Sequence, residues 1–199
     1  LAKRSGERPF NFADMVHPLP QGFRWLNDGD QISFGRRRWT VVMGHGHAPC
    51  HATFWSQDDD LVIGGDQLLP SISPNLGVYA SEPDADPVAE WLESCAVMAA
   101  RAEPRHLVLP GHKLPFTGLP TRLQQLIDNH HGALDRLLEA LTVAPRTAVG
   151  CFDILFKRRI GDAELGLALV EAMAHVNYLR HRGLVRQVDE TDGAALWGA

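Results

Sequence analysis

The sequence predicts a mixed α/β (α+β) protein in two parts, and three patterns lead to this fold class. Short strand-like runs follow one another up to about residue 65, and one amphipathic helix then precedes a further short strand. From residue 121 onward strands nearly vanish, and three helical segments lead into a β-hairpin. A chain of 199 residues has room for one large domain or two modest ones. We therefore predict two domains, residues 1–120 and 121–199.

The first part is predicted to be a loop followed by a meander of short strands. Three prolines and scattered aromatic residues in the first thirty positions leave no period of 2 or 3.6, which is typical of a loop. Turn signals then separate runs that are rich in β-branched and aromatic residues. The predicted strands are Ile32–Phe34, Trp39–Met43, Thr53–Trp55, Leu61–Gly64 and His106–Leu109.

One helix interrupts these strands. Between Pro87 and Arg101 apolar residues recur at spacings of three and four, as they do on the buried face of an amphipathic helix. Asp86 stands at the predicted N-cap and Pro87 at the first helical position, where each residue type is favoured.

The second part has the element order of a winged helix. Three helices followed by a small β-hairpin are the winged version of the helix-turn-helix, so an all-α winged-helix domain with a hairpin is predicted. An apolar stripe on the last helix is expected to face the core; it consists of Leu165, Leu169, Met173, Val176 and Leu179. The predicted helices are Thr121–Leu141, Thr147–Phe156 and Ala163–Arg182, and the predicted hairpin strands are Leu184–Val188 and Ala194–Trp197.

Composition excludes several classes of protein. Hydrophobic residues make up 45% and charged residues 22%, which is typical of a globular protein and not of a collagen-like, coiled-coil or disordered chain. Apolar runs fall far short of the roughly 18 residues needed to span a bilayer, so no membrane association is expected. The three cysteines are widely spaced and form no CxxC pair, which favours a reducing, cytoplasmic location over a disulfide framework.

Charge argues against a role in specific DNA binding. The net charge is −5, and residues 121–199 contain nine Lys and Arg against ten Asp and Glu. A winged helix that reads DNA normally presents a positive face, so specific DNA binding is disfavoured. Two small basic clusters leave weak contact with single-stranded RNA as an open alternative.

The candidate site residues follow three short predicted strands, each of which ends at a glycine. His47 follows one strand, Asp66 another and His112 a third. If these strands are neighbours, the three side chains converge at one edge of the sheet. Imidazole nitrogens and a carboxylate suit zinc, iron or manganese, and a carboxylate can bridge two cations. The pattern therefore predicts His47, Asp66 and His112 as metal ligands.

Other side chains near these ligands are assigned supporting roles. His51 is expected to hold the loop by hydrogen bonds, and His45 to form a pocket wall or to be exposed. Ser73 and Asn75 lie on a loop that could contact substrate, although turn-forming residues are the alternative. Lys113 could pair with an anionic substrate group, with a solvated lysine as the alternative.

Three segments of the sequence resemble a known family. GHGHAPCH, LVIGGDQLLPSISPN and LVLPGH look like the third, fourth and fifth motifs of the metallo-β-lactamase fold hydrolases, which include glyoxalase II, and the similarity runs from Trp39 to about Gly118. The resemblance implies a four-layer αβ/βα sandwich with a dinuclear metal site. His47 would match the third histidine of the first metal, Asp66 the bridging carboxylate and His112 the last histidine of the second.

The helical part also resembles the winged-helix extension of one branch of these proteins, a branch that includes a mitochondrial ribonuclease of the lactamase-like type.

One expected motif is missing. The family signature HxHxDH, which supplies two histidines to the first metal and an aspartate and a histidine to the second, occurs nowhere in the sequence. The simplest expectation is that residues 1–120 are the C-terminal half of the hydrolase domain. We therefore expect metal binding to be weak or absent in this chain by itself, catalysis to be lost, and exposed apolar surface to drive self-association into a homo-oligomer.

The leading hypothesis from the sequence is thus a metal-dependent hydrolase in which Asp66 is a catalytic residue. Two zinc ions are expected in the full-length protein, with iron or manganese as alternatives, and a small-molecule ester, thioester, lactone or phosphodiester as the substrate. The competing hypothesis is a winged-helix module that binds RNA or protein and retains a vestigial metal site.

Overall fold

The structure, a computed structural model, describes residue 22 and residues 24–156 and 158–199. The loop predicted over the first thirty residues lies largely outside this range. The described residues confirm a mixed α/β fold with a five-stranded sheet, a two-stranded sheet and four α-helices. None of these helices is both long and apolar enough to cross a bilayer.

The larger sheet contains five strands in the order in which they occur along the chain. Strands β1–β4 form the predicted antiparallel meander, whereas β5 pairs in parallel with β4. Gly35 and Arg36 connect β1 to β2 with positive φ at both positions, as a type I′ turn requires. The strands are β1 (Gln31–Phe34), β2 (Arg37–Gly44), β3 (His51–Ser56), β4 (Leu61–Gly65) and β5 (Leu107–Pro110).

Helix α1 (Pro87–Ala99) connects β4 to β5. The carboxylate of Asp86 accepts a hydrogen bond from the backbone N–H of Ala89 at 3.2 Å, which confirms the predicted N-cap. Trp91 and Met98 on its apolar face are fully buried. Two successive strands can pair in parallel only through a crossover of this kind, so α1 places the ends of β4 and β5 at the same edge of the sheet.

The second part contains two long helices and a hairpin, as predicted, and the predicted helix Thr147–Phe156 is confirmed in part. A 3₁₀ turn (Val149–Cys151) leads there into a single turn of α-helix. The carbonyl of Arg146, which a helix beginning at Thr147 would pair with the N–H of Gly150, accepts from the N–H of Trp197 instead, and the hydroxyl of Thr147 accepts from Gly150 at 3.1 Å. The elements are α2 (Leu119–Val143), α3 (Phe152–Leu155), α4 (Leu165–His181), β6 (Arg186–Thr191) and β7 (Ala194–Gly198).

The buried face of α4 differs from the predicted leucine stripe. Leu165 is exposed, and Leu169 and Met173 are only half-buried. Small side chains bury instead and allow α4 to lie close to α1 and α2. The buried residues of α4 are Ala168, Ala172, Ala174, His175, Val176, Asn177 and Leu179.

One hydrophobic cluster continues through both parts of the chain. It joins Val42 and Trp91 of the first part to Leu137, Leu179 and Trp197 of the second. Helix α1 contacts both α2 and α4, so the helical part packs directly against the part that carries the sheet. The division at residue 120 and the winged-helix assignment stay predictions.

The loop that follows β2 lies against α1, and its closest approach is at Gly46. This glycine has φ +93°, and a Cβ there would collide with the carbonyl oxygen of Pro87 and with Trp91. We expect Gly46→Ala to lower the free energy of unfolding by about 2 kcal/mol or more, because it combines left-handed strain with an overpacked contact. Urea denaturation measures the loss.

Gly29→Ala is the matched control for this substitution. Gly29 has φ +80° but has open space where a Cβ would lie, so only the backbone strain of about 1 kcal/mol applies. Equal losses for the two variants would contradict the proposed contact between the loop and α1.

Candidate metal centre

The candidate ligands lie at one edge of the five-stranded sheet. Strands β2, β4 and β5 run in the same direction, because β3 is antiparallel to both β2 and β4 while β5 is parallel to β4. His47 lies three residues beyond the end of β2, Asp66 directly after β4, and His112 two residues beyond β5. The structure therefore brings together the three residues that the sequence predicted to converge.

The carboxylate of Asp66 stands between the two imidazoles. Its Oδ2 lies 3.5 Å from Nε2 of His47, and its Oδ1 lies 3.6 Å from Nε2 of His112. Two ligands of one tetrahedral zinc ion are separated by roughly 3.3 Å when each metal bond is about 2.0–2.1 Å long. Each oxygen thus forms, with one histidine, a pair of the right spacing for one cation.

Glycines at the ends of β4 and β5 make room for side chains of the candidate centre. The N–H of Gly111 donates to the carbonyl of Gly65 at 2.8 Å, which ties the end of β5 to the end of β4. A Cβ at Gly111 would collide with Oδ1 of Asp66, and one at Gly65 would collide with the imidazole of His51. The glycines that precede Asp66 and His112 are therefore required, because neighbouring side chains lie too close to leave room for a Cβ.

The imidazole of His47 is oriented by the backbone. Its Nδ1 lies 2.8 Å from the carbonyl oxygen of Asn75, and a carbonyl can only accept a hydrogen bond, so Nδ1 carries the proton. In the neutral imidazole the lone pair is then on Nε2, the nitrogen that lies toward Asp66. This is the tautomer and the second hydrogen bond that metal-binding histidines usually have.

His51 and His45 lie beside this centre. His51 lies in β3 rather than in the loop, and among the described residues its imidazole makes no hydrogen bond, so it supports the site by packing against Gly65. Burial and the neighbouring His47 lower its pKa. The backbone N–H of His45 donates to the hydroxyl of Ser94 at 2.9 Å, which fastens the loop to α1.

The three residues fit part of a dinuclear site. Asp66 Oδ1 is buried and has no hydrogen-bond partner among the described residues, which is costly for a carboxylate unless a cation or a donor faces it. The described part of the chain contains no group of three or more His, Cys, Asp and Glu side chains that could hold one metal ion. Each cation would therefore have two protein ligands from the described residues, one imidazole and one carboxylate oxygen.

A cavity of about 720 Å³ lies between the loop after β4 and the helical part, and its lining includes none of His47, Asp66 and His112. Ser73 and Asn75 line it from the loop after β4, and α2 and α4 form its other walls. The amide of Asn75 is engaged by α4 rather than free, as described below, whereas Lys113 is exposed beside His112 and lines no part of the cavity. Substrate contact by Ser73, Asn75 and Lys113 stays a prediction.

A buried polar cluster forms part of the cavity wall and was missed by the sequence interpretation. His130 of α2 stacks on His175 of α4 with 5.5 Å between ring centroids, and Glu171 lies one turn before His175. Burial lowers the pKa of His130 to about 3 and raises that of Glu171 to about 7. The sequence could have revealed this cluster, because its polar residues lie on the apolar faces of the helices, among leucines in α2 and among alanines in α4.

The raised pKa of Glu171 predicts a specific pH dependence of stability. Because the folded state holds this proton more tightly than the unfolded state, the stabilisation is complete below pH 4.5 and is lost as the pH rises through about 7. Glu171→Gln removes this loss, so relative to the wild type it should gain up to about 3 kcal/mol between pH 4.5 and 8. The other charged or titratable groups that line the cavity are Arg122, Asp128, His130, Arg136, Arg158, Glu164 and His175.

Urea denaturation across this pH range measures the difference between the wild type and the variant. His130 has the opposite sign, since its lowered pKa removes stability as the pH falls from 6.5 toward 3, but it acts equally in both proteins. A constant difference between the two proteins from pH 4.5 to 8 would contradict a buried, proton-holding Glu171.

Comparison with known proteins agrees with this geometry. Residues 6–125 match the metallo-beta-lactamase superfamily, and residues 134–198 match the metallo-beta-lactamase-like C-terminal domain. A probable metallo-hydrolase of Bacillus subtilis, YqjP, is 25% identical over 148 residues, which are 73% of this chain and 46% of that protein.

Solved structures extend the similarity over nearly the whole chain. A beta-lactamase domain protein from Burkholderia ambifaria is 37% identical, with a TM-score of 0.88 over 94% of this chain and 55% of its own. A metallo-beta-lactamase family protein from Thermus thermophilus is 29% identical, with a TM-score of 0.77 over 96% of this chain and 60% of its own. The chain thus spans about half to three fifths of the length of these relatives. Since the superfamily match alone covers more than half of its residues, the chain belongs to the metallo-beta-lactamase superfamily.

Proposed function

We propose that this chain provides part of the active site of a metal-dependent hydrolase with a dinuclear centre. The observation that carries this proposal is the Asp66 carboxylate, which directs one oxygen toward each of two imidazoles at metal-ligand spacing. The hydrogen bond of His47 Nδ1 to the carbonyl of Asn75 supports it, because it leaves Nε2, the nitrogen that faces Asp66, to bind a metal. The family match and the name of the Bacillus relative agree with hydrolysis.

Each residue has a defined task in this proposal. Asp66 would serve both cations, one of which His47 would hold through Nε2 and the other His112 through Nε2. His51, with its lowered pKa, stays neutral and closes the side of the centre against Gly65. When bound, two cations would lower the pKa of a water molecule toward neutrality and polarise the oxygen of the scissile bond. No protein nucleophile is required.

The neighbouring cavity is the proposed place for the substrate. Its volume of about 720 Å³ suits a small molecule, and Ser73 offers a hydroxyl at its wall. Ester, thioester, lactone and phosphodiester bonds are all compatible with this chemistry. Zinc is the proposed metal, with iron and manganese as alternatives, because imidazole and carboxylate ligands accept all three.

We further propose that both half-sites are completed by ligands from outside these 199 residues. The two ligands per cation that the described residues offer are fewer than the three that catalytic zinc sites commonly use, and the sequence contains no HxHxDH motif. The relatives are also longer than this chain. The full-length protein should therefore hold metal tightly, whereas the 199-residue chain by itself should hold it weakly.

Metal analysis of the full-length protein tests the proposed centre. We expect about two equivalents of zinc, iron or manganese per chain, and loss of both from Asp66→Ala, because Asp66 contributes to each half-site. The matched control is Asp135→Ala, which removes an exposed carboxylate of α2 and should keep the metal content. A folded wild-type protein that binds no metal would refute the proposed function.

The chain alone provides a second test. Purified residues 1–199, supplied with zinc, iron or manganese, should bind less than one equivalent and should not hydrolyse ester, thioester, lactone or phosphodiester probes. Turnover by this chain at rates typical of enzymes would show that its residues suffice for catalysis and that no outside ligands are needed.

A further inference from the structure

The loop after β4 is docked on helix α4 of the helical part. The backbone N–H of Val78 donates to the carbonyl of Val170 at 3.1 Å. Gly77 lies so close that a Cβ there would approach Cγ2 of Val170 to 2.9 Å. A main-chain hydrogen bond and a close packing contact therefore fix the position of this loop along α4.

Asn75, in the same loop, connects α4 to the candidate metal centre. Its amide Nδ2 donates to Oε2 of Glu171 at 2.8 Å and to the carbonyl of Leu167 at 3.2 Å. Its own carbonyl accepts the hydrogen bond from Nδ1 of His47 at 2.8 Å. The side chain of one residue is thus held by the helix while its backbone orients the imidazole.

From this chain of contacts we propose that Glu171 and Asn75 are positioning residues, through which helix α4 sets the tautomer and the orientation of the ligand His47. The inference rests on the proposed function only where it concerns metal affinity. The link itself consists of hydrogen bonds between described residues and holds in the metal-free protein.

The buried position of Glu171 supports a positioning role. A buried carboxyl is costly unless it is hydrogen-bonded, and the amide of Asn75 is the donor that it has here. The same hydrogen bond removes rotational freedom from Asn75. Partners that hold the second nitrogen of a metal-binding histidine commonly change metal affinity by 10–100-fold when they are lost.

Two substitutions of nearly equal size separate positioning from simple packing. Glu171→Gln keeps an oxygen that can accept from Asn75, whereas Glu171→Met fills the same space without a strong acceptor. Both remove the charge, so the difference between them reports on the hydrogen bond. Asn75→Ala, which removes the side-chain amide but keeps the carbonyl, is the second variant that breaks the link. Glu139→Ala, at an exposed position of α2, is the control.

The first measurement uses the full-length protein without metal. Long-range ¹H–¹⁵N spectra of ¹⁵N-histidine-labelled protein at pH 8 report the tautomer of each imidazole, and His47→Gln identifies the signals of His47. We expect the Nδ1–H form in the wild type, in Glu171→Gln and in Glu139→Ala. Glu171→Met and Asn75→Ala should show a population of the Nε2–H form.

The second measurement is the affinity for Co²⁺, followed by its visible absorption in the same full-length variants. Glu171→Met and Asn75→Ala should bind about 10–100-fold more weakly than the wild type, and Glu171→Gln should stay within about threefold. Thermal unfolding verifies that each variant is folded. If Glu171→Met fails to fold, Asn75→Ala replaces it as the variant without the hydrogen bond and is compared with Glu171→Gln, which keeps it.

The two measurements distinguish the two proposals. If the wild type binds no Co²⁺ but the tautomer of His47 changes as expected, the proposed function fails and the positioning link stands. If Glu171→Met and Asn75→Ala keep the Nδ1–H form and bind Co²⁺ as the control does, the positioning role is wrong and the contacts with α4 serve stability alone.

Discussion

The placement of one carboxylate, that of Asp66, underlies the rest of the candidate centre. Parallel pairing of β4 with β5 brings Gly65 and Gly111 together through a backbone hydrogen bond, and neither has room for a side chain. The carboxylate occupies the space at Gly111, the imidazole of His51 occupies that at Gly65, and the carboxylate faces His47 on one side and His112 on the other. Its Oδ1 is buried and has no protein donor in the described part of the chain. A cation bound there would compensate for the missing donor.

Both the sheet and the helical part position residues around this carboxylate. The sheet delivers the ligands, because β2, β4 and β5 end at a common edge and α1 supplies the crossover that parallel strands need. The helical part reaches the same edge through α4, which holds the loop that carries Asn75. The two regions that match superfamily domains thus share one hydrophobic core, and the helical region is linked to His47 through Asn75.

Local sequence patterns predicted much of this architecture. They were less accurate where backbone pairing between distant residues or close helix packing decided the structure. The meander, the capped helix α1 and the final hairpin follow from turn residues, periodicity and an N-cap, all of which act over a few residues. The predicted helix Thr147–Phe156 is shorter than expected because the backbone of Arg146 pairs with Trp197, far along the chain. The predicted stripe of α4 is buried only at Val176 and Leu179, because tight packing against α1 and α2 favours alanine, and periodicity alone does not distinguish one apolar face from another.

The sequence by itself determined which residue types reach the sheet edge: a histidine, an aspartate and a histidine, each after a short strand and each directly after a glycine. It also showed that HxHxDH is absent. Only the tertiary structure decided how His47 is oriented and what holds it. The carbonyl of Asn75 is 28 residues away and Glu171 lies 96 residues beyond Asn75. Because every residue has a backbone carbonyl, the sequence does not indicate which carbonyl will contact His47. The packing of α4 against the loop selects that of Asn75.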